Sequence, residues 1–173
     1  MAGNPKRERP EWDEYFMHNA FWAATRSSCV YLQTGAVIVR DKRVIATGYN
    51  GAPPNIESCL KKGCRKAQEG VDFHDKGRGV CRGTHAEINA MSQIARQDLN
   101  GASLYTLYFP CSACAKAIAG NGLAKVIYCA IYKEIDNLTR ELLAEAGISL
   151  RQLKFDLKKH FKMLEGINPG HRK

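Results

Sequence analysis

The residues best suited to chemistry in this chain fall in two short runs, Thr84-His85-Ala86-Glu87 and Pro110-Cys111-Ser112-Ala113-Cys114. One imidazole and two thiols are good ligands for a borderline-soft divalent ion such as Zn2+, and three protein ligands leave a fourth tetrahedral position open to water. That is the composition of a catalytic centre. A carboxylate beside such a water can take its proton and pass it to a substrate, and Glu87 stands two residues beyond the histidine. Cys111 and Cys114 lie three apart at the start of a predicted helix, on one face of it, where the helix amino end favours the thiolate. Each piece also has a plainer reading. A lone C-x-x-C can be a redox pair or two core thiols, a lone histidine an ordinary surface or core residue. Thr84-x-x-Glu87 can be a capping box whose glutamate bonds the amide of residue 84. Their joint occurrence, with Pro110 ahead of the first cysteine, favours the metal.

The elements that must position these residues follow from periodicity. Trp12, Tyr15, Phe16, Ala20, Ala23 and Ala24 recur at helical spacing and predict an amphipathic helix over 12–26, its aromatic stripe facing the core. Residues 35–40 and 44–49 are β-rich runs joined by Asp41-Lys42-Arg43, an antiparallel hairpin. Residues 50–83 carry turn residues throughout without a sustained period, a long loop of the kind that is functional or tied down. Beyond it the pattern predicts helix 85–96, strand 103–109, helix 112–120, strand 125–132, helix 138–146 and strand 148–153. The 22 residues between Glu87 and Pro110 leave room for the rest of a helix, a turn and a strand. Strands alternating with helices imply right-handed parallel crossovers, hence a three-layer α/β/α domain on a central mixed five-stranded sheet. Three parts are expected: an extension over 1–11, the domain over 12–153, and a basic tail over 154–173 whose residues 154–164 form an amphipathic helix with Phe155, Leu157, Phe161 and Leu164 apolar.

At 173 residues and 45% hydrophobic content, one globular domain is expected. The first ten residues are charged and Pro-bearing, with no apolar segment behind them, and no window approaches the roughly 18 apolar residues of a membrane span; a soluble, cytoplasmic protein with no membrane partner is expected. Seven cysteines without an export signal point to metal or catalytic chemistry more than to disulfides. The formal charge is +9, but residues 151–173 hold seven Lys or Arg against Asp156 and Glu165, so over half of the excess sits in the tail.

The pattern H-x-E followed by P-C-x-x-C is the signature of zinc nucleobase deaminases. Around it, Thr34-Gly35-Ala36-Val37-Ile38-Val39, Gly48-Tyr49-Asn50-Gly51, His85-Ala86-Glu87-Ile88-Asn89-Ala90 and Tyr105 to Cys114 resemble the deoxycytidylate (dCMP) deaminases of the cytidine deaminase superfamily, over about Trp12 to Leu153. The resemblance implies hydrolytic deamination of dCMP to dUMP, supplying thymidylate synthesis, with Glu87 protonating N3 of the cytosine ring and then the departing amine. It also implies that Asn50 holds the sugar and the amide of Ala86 the pyrimidine carbonyl. Arg26 matches a basic residue near the end of the first helix and is a candidate 5′-phosphate contact, its alternative being a solvated helix-end charge; Tyr132 is a second candidate.

Setting Cys111 and Cys114 aside, Cys129 lies in an apolar strand and is most simply a small core hydrophobe. Cys29, Cys59, Cys64 and Cys81 come from the end of the first helix and the long loop, and four thiolates could close a structural zinc that orders a loop poor in apolar residues. Microbial and phage members of the resembled family often carry such a zinc, with Cys29 and Cys59 at matching positions. Cys64 and Cys81 complete the set, and His74 is the reserve ligand. Family members are commonly homohexamers switched on by dCTP and off by dTTP, with Mg2+ accompanying the nucleotide, which assigns Gly48, Tyr49, Asn50 and Gly51 to an effector site. Here that run is followed by Ala52-Pro53-Pro54-Asn55, whose prolines fix backbone dihedrals and remove amide donors.

Two other functions share these features. A deaminase of tRNA or single-stranded nucleic acid would use the same metal motif and the basic tail, but should show exposed aromatics among its basic residues; Phe155 and Phe161 fall on the apolar face instead, so nucleic acid is the less favoured partner. A zinc-stabilised binding or assembly protein would keep the fold without turnover, and Glu87 is the residue that distinguishes it.

Overall fold

The computed structural model describes residues 9–73, 79–132, 137–165 and 167. Its elements are α1 (Trp12–Ala24), β1 (Gly35–Arg40), β2 (Arg43–Tyr49), α2 (Cys59–Lys62), α3 (Arg65–Gln68), α4 (Ala86–Met91), α5 (Arg96–Leu99), β3 (Ser103–Tyr108), α6 (Ser112–Gly120), β4 (Lys125–Ala130), α7 (Asn137–Glu145), β5 (Ser149–Gln152) and α8 (Leu157–Glu165). The sheet runs β2-β1-β3-β4-β5. β1 is antiparallel to β2 and β3, whereas β3, β4 and β5 are parallel, so the sheet is mixed and five-stranded as expected. The β1–β2 hairpin turns in two residues, Asp41 and Lys42, both at positive φ, the geometry that matches strand twist.

Alternate residues of the central strands feed two cores. Val37, Val39, Tyr105, Leu107 and Ile127 face α1, where they meet Phe16, Met17, Ala20 and Ala24. Ala36, Ile38, Leu104 and Val126 face the other way, onto Ala86 and Ala90 of α4, Ala115 and Ile118 of α6, and Leu143 of α7. Two glycines let both helical layers close on the sheet. A Cβ on Gly35 would stand 2.1 Å from the Ala20 carbonyl oxygen, and one on Gly48 would stand 2.3 Å from Ala90 N and 2.4 Å from the Ala86 oxygen. Gly48 is thus the seat of the helix that carries Glu87.

The structure departs from the periodicity in three places. The helix expected over 85–96 stops at Met91, and a second short helix, α5, follows; Leu99 returns to the same core, so the apolar period continues through the break. Residues 50–83 contain α2 and α3, neither of which buries a residue. The tail helix starts at Leu157, not at 154, because Asp156 caps it: its Oδ1 accepts the amides of Lys158 and Lys159. That helix docks on α1 through His160, which stacks on Phe155 at 4.5 Å and lies 3.6 Å from Glu14 Oε1. Phe155 in turn stacks on Phe21 at 5.1 Å, while Phe161 and Leu164 stay exposed.

Candidate metal centre

His85 is the residue that caps α4, and its place is set from outside the helix. Thr84 forms a two-bond bridge with Gly51, its amide donating to the Gly51 oxygen at 2.8 Å and its oxygen accepting the Gly51 amide at 3.2 Å. The amide of residue 84 is therefore taken, and the capping-box alternative for Glu87 does not form. Cys111 caps α6 immediately after β3, and its approach is fixed by buried Thr139 of α7, whose hydroxyl donates to the Pro110 oxygen at 3.2 Å. Cys114 follows one turn into α6 and is buried.

These elements bring His85, Cys111 and Cys114 together, their ligand atoms all within 4.8 Å of one another. His85 Nδ1 lies 3.3 Å from Cys114 Sγ and 3.5 Å from Cys111 Sγ. Glu87, 6% exposed, places Oε2 at 3.6 Å from Cys114 Sγ, while Oε1 accepts the hydroxyl of Thr106 at 3.3 Å. Burial raises the Glu87 pKa, and its own backbone amide and the His85 charge oppose that rise. The hydrogen bond from Cys114 holds Cys111 down at about 3, and the same bond together with burial pushes Cys114 up, so that Cys114 keeps its proton. A divalent ion would displace that proton and take both sulfurs as thiolates. Two thiolates and an imidazole fit Zn2+, and a cleft of about 780 Å3 opens onto His85, Glu87 and Cys111, lined also by Asn50, Phe73, Tyr108 and Tyr132, with Cys114 buried behind them.

A family description, "Cytidine and deoxycytidylate deaminase zinc-binding region", matches residues 10–130. The chain belongs to this family. Among its relatives, a deoxycytidylate deaminase of Mycobacterium phage D29 is 44% identical over 122 residues, covering 69% of this chain and 95% of the phage protein. The deoxycytidylate deaminase of Schizosaccharomyces pombe is 41% identical over 150 residues, 86% of this chain and 46% of the yeast protein. The chain thus spans about half the length of the yeast relatives it matches. The crystal structure of the cyanophage S-TIM5 dCMP deaminase, in complex with dCMP and dUMP, superposes with a TM-score of 0.68 at 26% identity, over 84% of this chain and 99% of that one.

The site residues implied by the resemblance are not all gathered at the cleft. Asn50 lines it, but its Oδ1 accepts the Ser27 hydroxyl at 2.7 Å and the Thr34 amide at 2.9 Å, and its Nδ2 donates to the Leu32 oxygen at 2.7 Å. One N–H remains. Ala86 is buried as the first residue of α4, where helical amides lack intrahelical acceptors. Tyr132 lines the cleft edge-on to Tyr108 at 5.7 Å. Arg26 is exposed, two residues past the end of α1, and is not among the residues lining the cleft. Gly48, Tyr49, Asn50 and Gly51 pack between α4 and the 27–34 segment: a Cβ on Gly51 would stand 2.6 Å from Ser28 Oγ, and the Tyr49 oxygen accepts Asn89 Nδ2 at 2.8 Å.

Cys29, Cys59, Cys64 and Cys81 all line the same cleft. The Cys59 thiol is raised by burial and by the charges of Cys64, Cys81 and Cys29. Among the described residues the compact metal-ligating group is the His85 one. Cys29 Sγ accepts the Leu32 amide at 3.5 Å and Cys81 Sγ the Gly83 amide at 3.4 Å. His74 lies outside the described residues. Cys129, half-buried against the α1 core, has its thiol pushed up to about 12 by burial, as suits an inert packing residue. The sequence did not single out Tyr31, Phe73 or Tyr108, whose rings assemble beside Tyr132; aromatic residues scattered over a loop and a strand carry no period that would announce a cleft. Among the described residues no helix is long and apolar enough to cross a membrane.

Proposed function

We propose that this protein hydrolyses the exocyclic amine of dCMP, giving dUMP and ammonia. The observation that carries it is the carboxylate of Glu87 set 3.6 Å from Cys114 Sγ beside His85 and Cys111 in an open cleft. The phage relative, matched over nearly its whole length, supports the choice of substrate. Zinc held by His85, Cys111 and Cys114 would supply a water whose pKa is lowered towards neutrality. Glu87 would take one proton from that water as it adds at C4 and give it to N3, then collect the second proton from the new C4 hydroxyl and hand it to the amine as the C–N bond breaks, leaving a C4 carbonyl and ammonia. Its burial keeps bulk water from competing for that proton. The Ala86 amide donates to the pyrimidine carbonyl, the remaining N–H of Asn50 to the sugar, and Tyr132 reaches the phosphate; Arg26 would have to reach it from outside the cleft lining.

The same reading includes a structural zinc on Cys29, Cys59, Cys64 and Cys81, supported by their shared cleft and by the amides donated to Cys29 and Cys81. It also includes a cytoplasmic homohexamer feeding thymidylate synthesis and controlled by dCTP and dTTP with Mg2+, carried by the family resemblance. The test is loss of cytosine ultraviolet absorbance with dCMP, CMP, deoxycytidine, dCTP and a cytosine-containing single strand, with and without Mg2+-dCTP or Mg2+-dTTP. Turnover of dCMP alone, altered by the triphosphates, is the expected result. Turnover confined to the strand would move the substrate to nucleic acid, and none on all five would sink the reading.

A further inference from the structure

We infer that Thr106 is a positioning residue for Glu87: its hydroxyl holds one carboxylate oxygen so that the other faces the metal ligands. β3 sends Leu104 and Thr106 into the core beneath α4. The neighbours across the sheet are Ala36 on β1 and Tyr128 on β4, and Thr106 is fully buried. A hydroxyl buried among apolar groups is costly unless it is bonded. Among the described residues its side chain has one partner, Oε1 of Glu87 at 3.3 Å. The opposite oxygen, Oε2, is the one beside Cys114. A donor from the central strand restrains the terminal torsion of the carboxylate, which otherwise is broad and roughly two-fold. Valine has nearly the same shape as threonine and would fill this position with apolar contact, so the hydroxyl here serves the carboxylate and not the packing. This assignment rests on the proposed deamination for its kinetic consequence, but the Thr106–Glu87 bond itself does not.

The experiment uses the zinc-loaded full chain with Thr106→Val, Thr106→Ser, Glu87→Ala and the Thr106→Val/Glu87→Ala double variant. Thr106→Val should keep its zinc, leave KM for dCMP nearly unchanged, and lower kcat about tenfold or more, the size expected from one lost hydrogen bond to an ionised group. Thr106→Ser should restore most of that loss. An unchanged kcat in Thr106→Val, or an equal loss in both variants, would overturn the assignment. Thermal unfolding of the same proteins gives a readout that needs no substrate. The change in Tm caused by Thr106→Val should be more unfavourable with Glu87 present than in the Glu87→Ala background, and equal changes would overturn it. Wild-type protein inactive on dCMP, yet coupled in this cycle, would fail the substrate reading and leave Thr106 in place.

Discussion

His85, Cys111 and Cys114 stand where the sheet delivers them, whereas Cys59, Cys64 and Cys81 stand on a segment whose two short helices bury no residue. The first set is held at the amino ends of α4 and α6, and each of these helices buries apolar side chains against the core. Its ligand atoms are already within 4.8 Å of one another. In the second set Cys59 opens α2 and Cys64 caps α3, neither of which buries a residue, while Cys29 follows a turn tied to Asn50 through Ser27. Packing builds the first centre before any metal arrives. In the second, a bound ion would have to supply the ordering energy.

Four measurements break or sharpen this contrast. The largest effect is expected at the preformed site: Glu87→Gln should retain zinc on His85, Cys111 and Cys114 while turnover falls about a thousandfold or more. Near-normal turnover would remove Glu87 from the chemistry. At the other site, Cys59→Ser should lose one zinc equivalent, lower Tm by roughly 5 °C or more, and admit protease within residues 52–73, yet keep measurable deamination. If metal stoichiometry stays the same, the second centre does not exist and the contrast collapses to one site. A third change attacks the seat of α4. Gly48→Ala drives a methyl towards Ala90 N and the Ala86 oxygen, and should cost about 1–3 kcal/mol of stability, with weaker zinc retention at the first site than at the second; equal loss at both would mean that the sites are not independently built.

The smallest effect belongs to neither site. Burial, then the neighbouring His160, lowers the pKa of His18 below its ordinary value of 6.5. The unfolded chain therefore binds more protons in this range, so stability falls as pH drops through about 6.5 and recovers above it. A lower Tm at pH 6 than at pH 7.5, with the gap narrowed in His18→Gln, is expected. Zinc content that follows the same pH step in wild type but not in His18→Gln would show instead that the α1–α8 contact communicates with a metal centre.

Much of this arrangement is written in local pattern. Short β-rich apolar runs mark β1 to β4, and the two short motifs mark the three ligands, because a catalytic zinc needs those residue types wherever they are in the chain. What the pattern missed has a common cause. Thr106 is an ordinary strand residue, and only its fully buried place opposite Glu87 gives its hydroxyl a meaning. α4 and α5 share one apolar period across a break, so spacing alone joins them. The tail's apolar positions were visible, but whether Phe155 or Phe161 would find a partner depended on Phe21 and His160, distant in the chain or of the wrong class. Gly48 to Gly51 looked like a binding loop by family resemblance, and in the fold it is also a joint between α4 and the segment bearing Cys29.

The pair of hydrogen bonds between Gly51 and Thr84 makes the intervening stretch leave and re-enter the domain at a single point. A segment closed at its neck can lengthen, shorten or be exchanged at an entropic cost that grows only with the logarithm of its length. Homologues could therefore carry quite different insertions here, with or without cysteines, while the histidine at the neck keeps its coordinates, and evolution can rewrite the mouth of the cleft without renegotiating its floor.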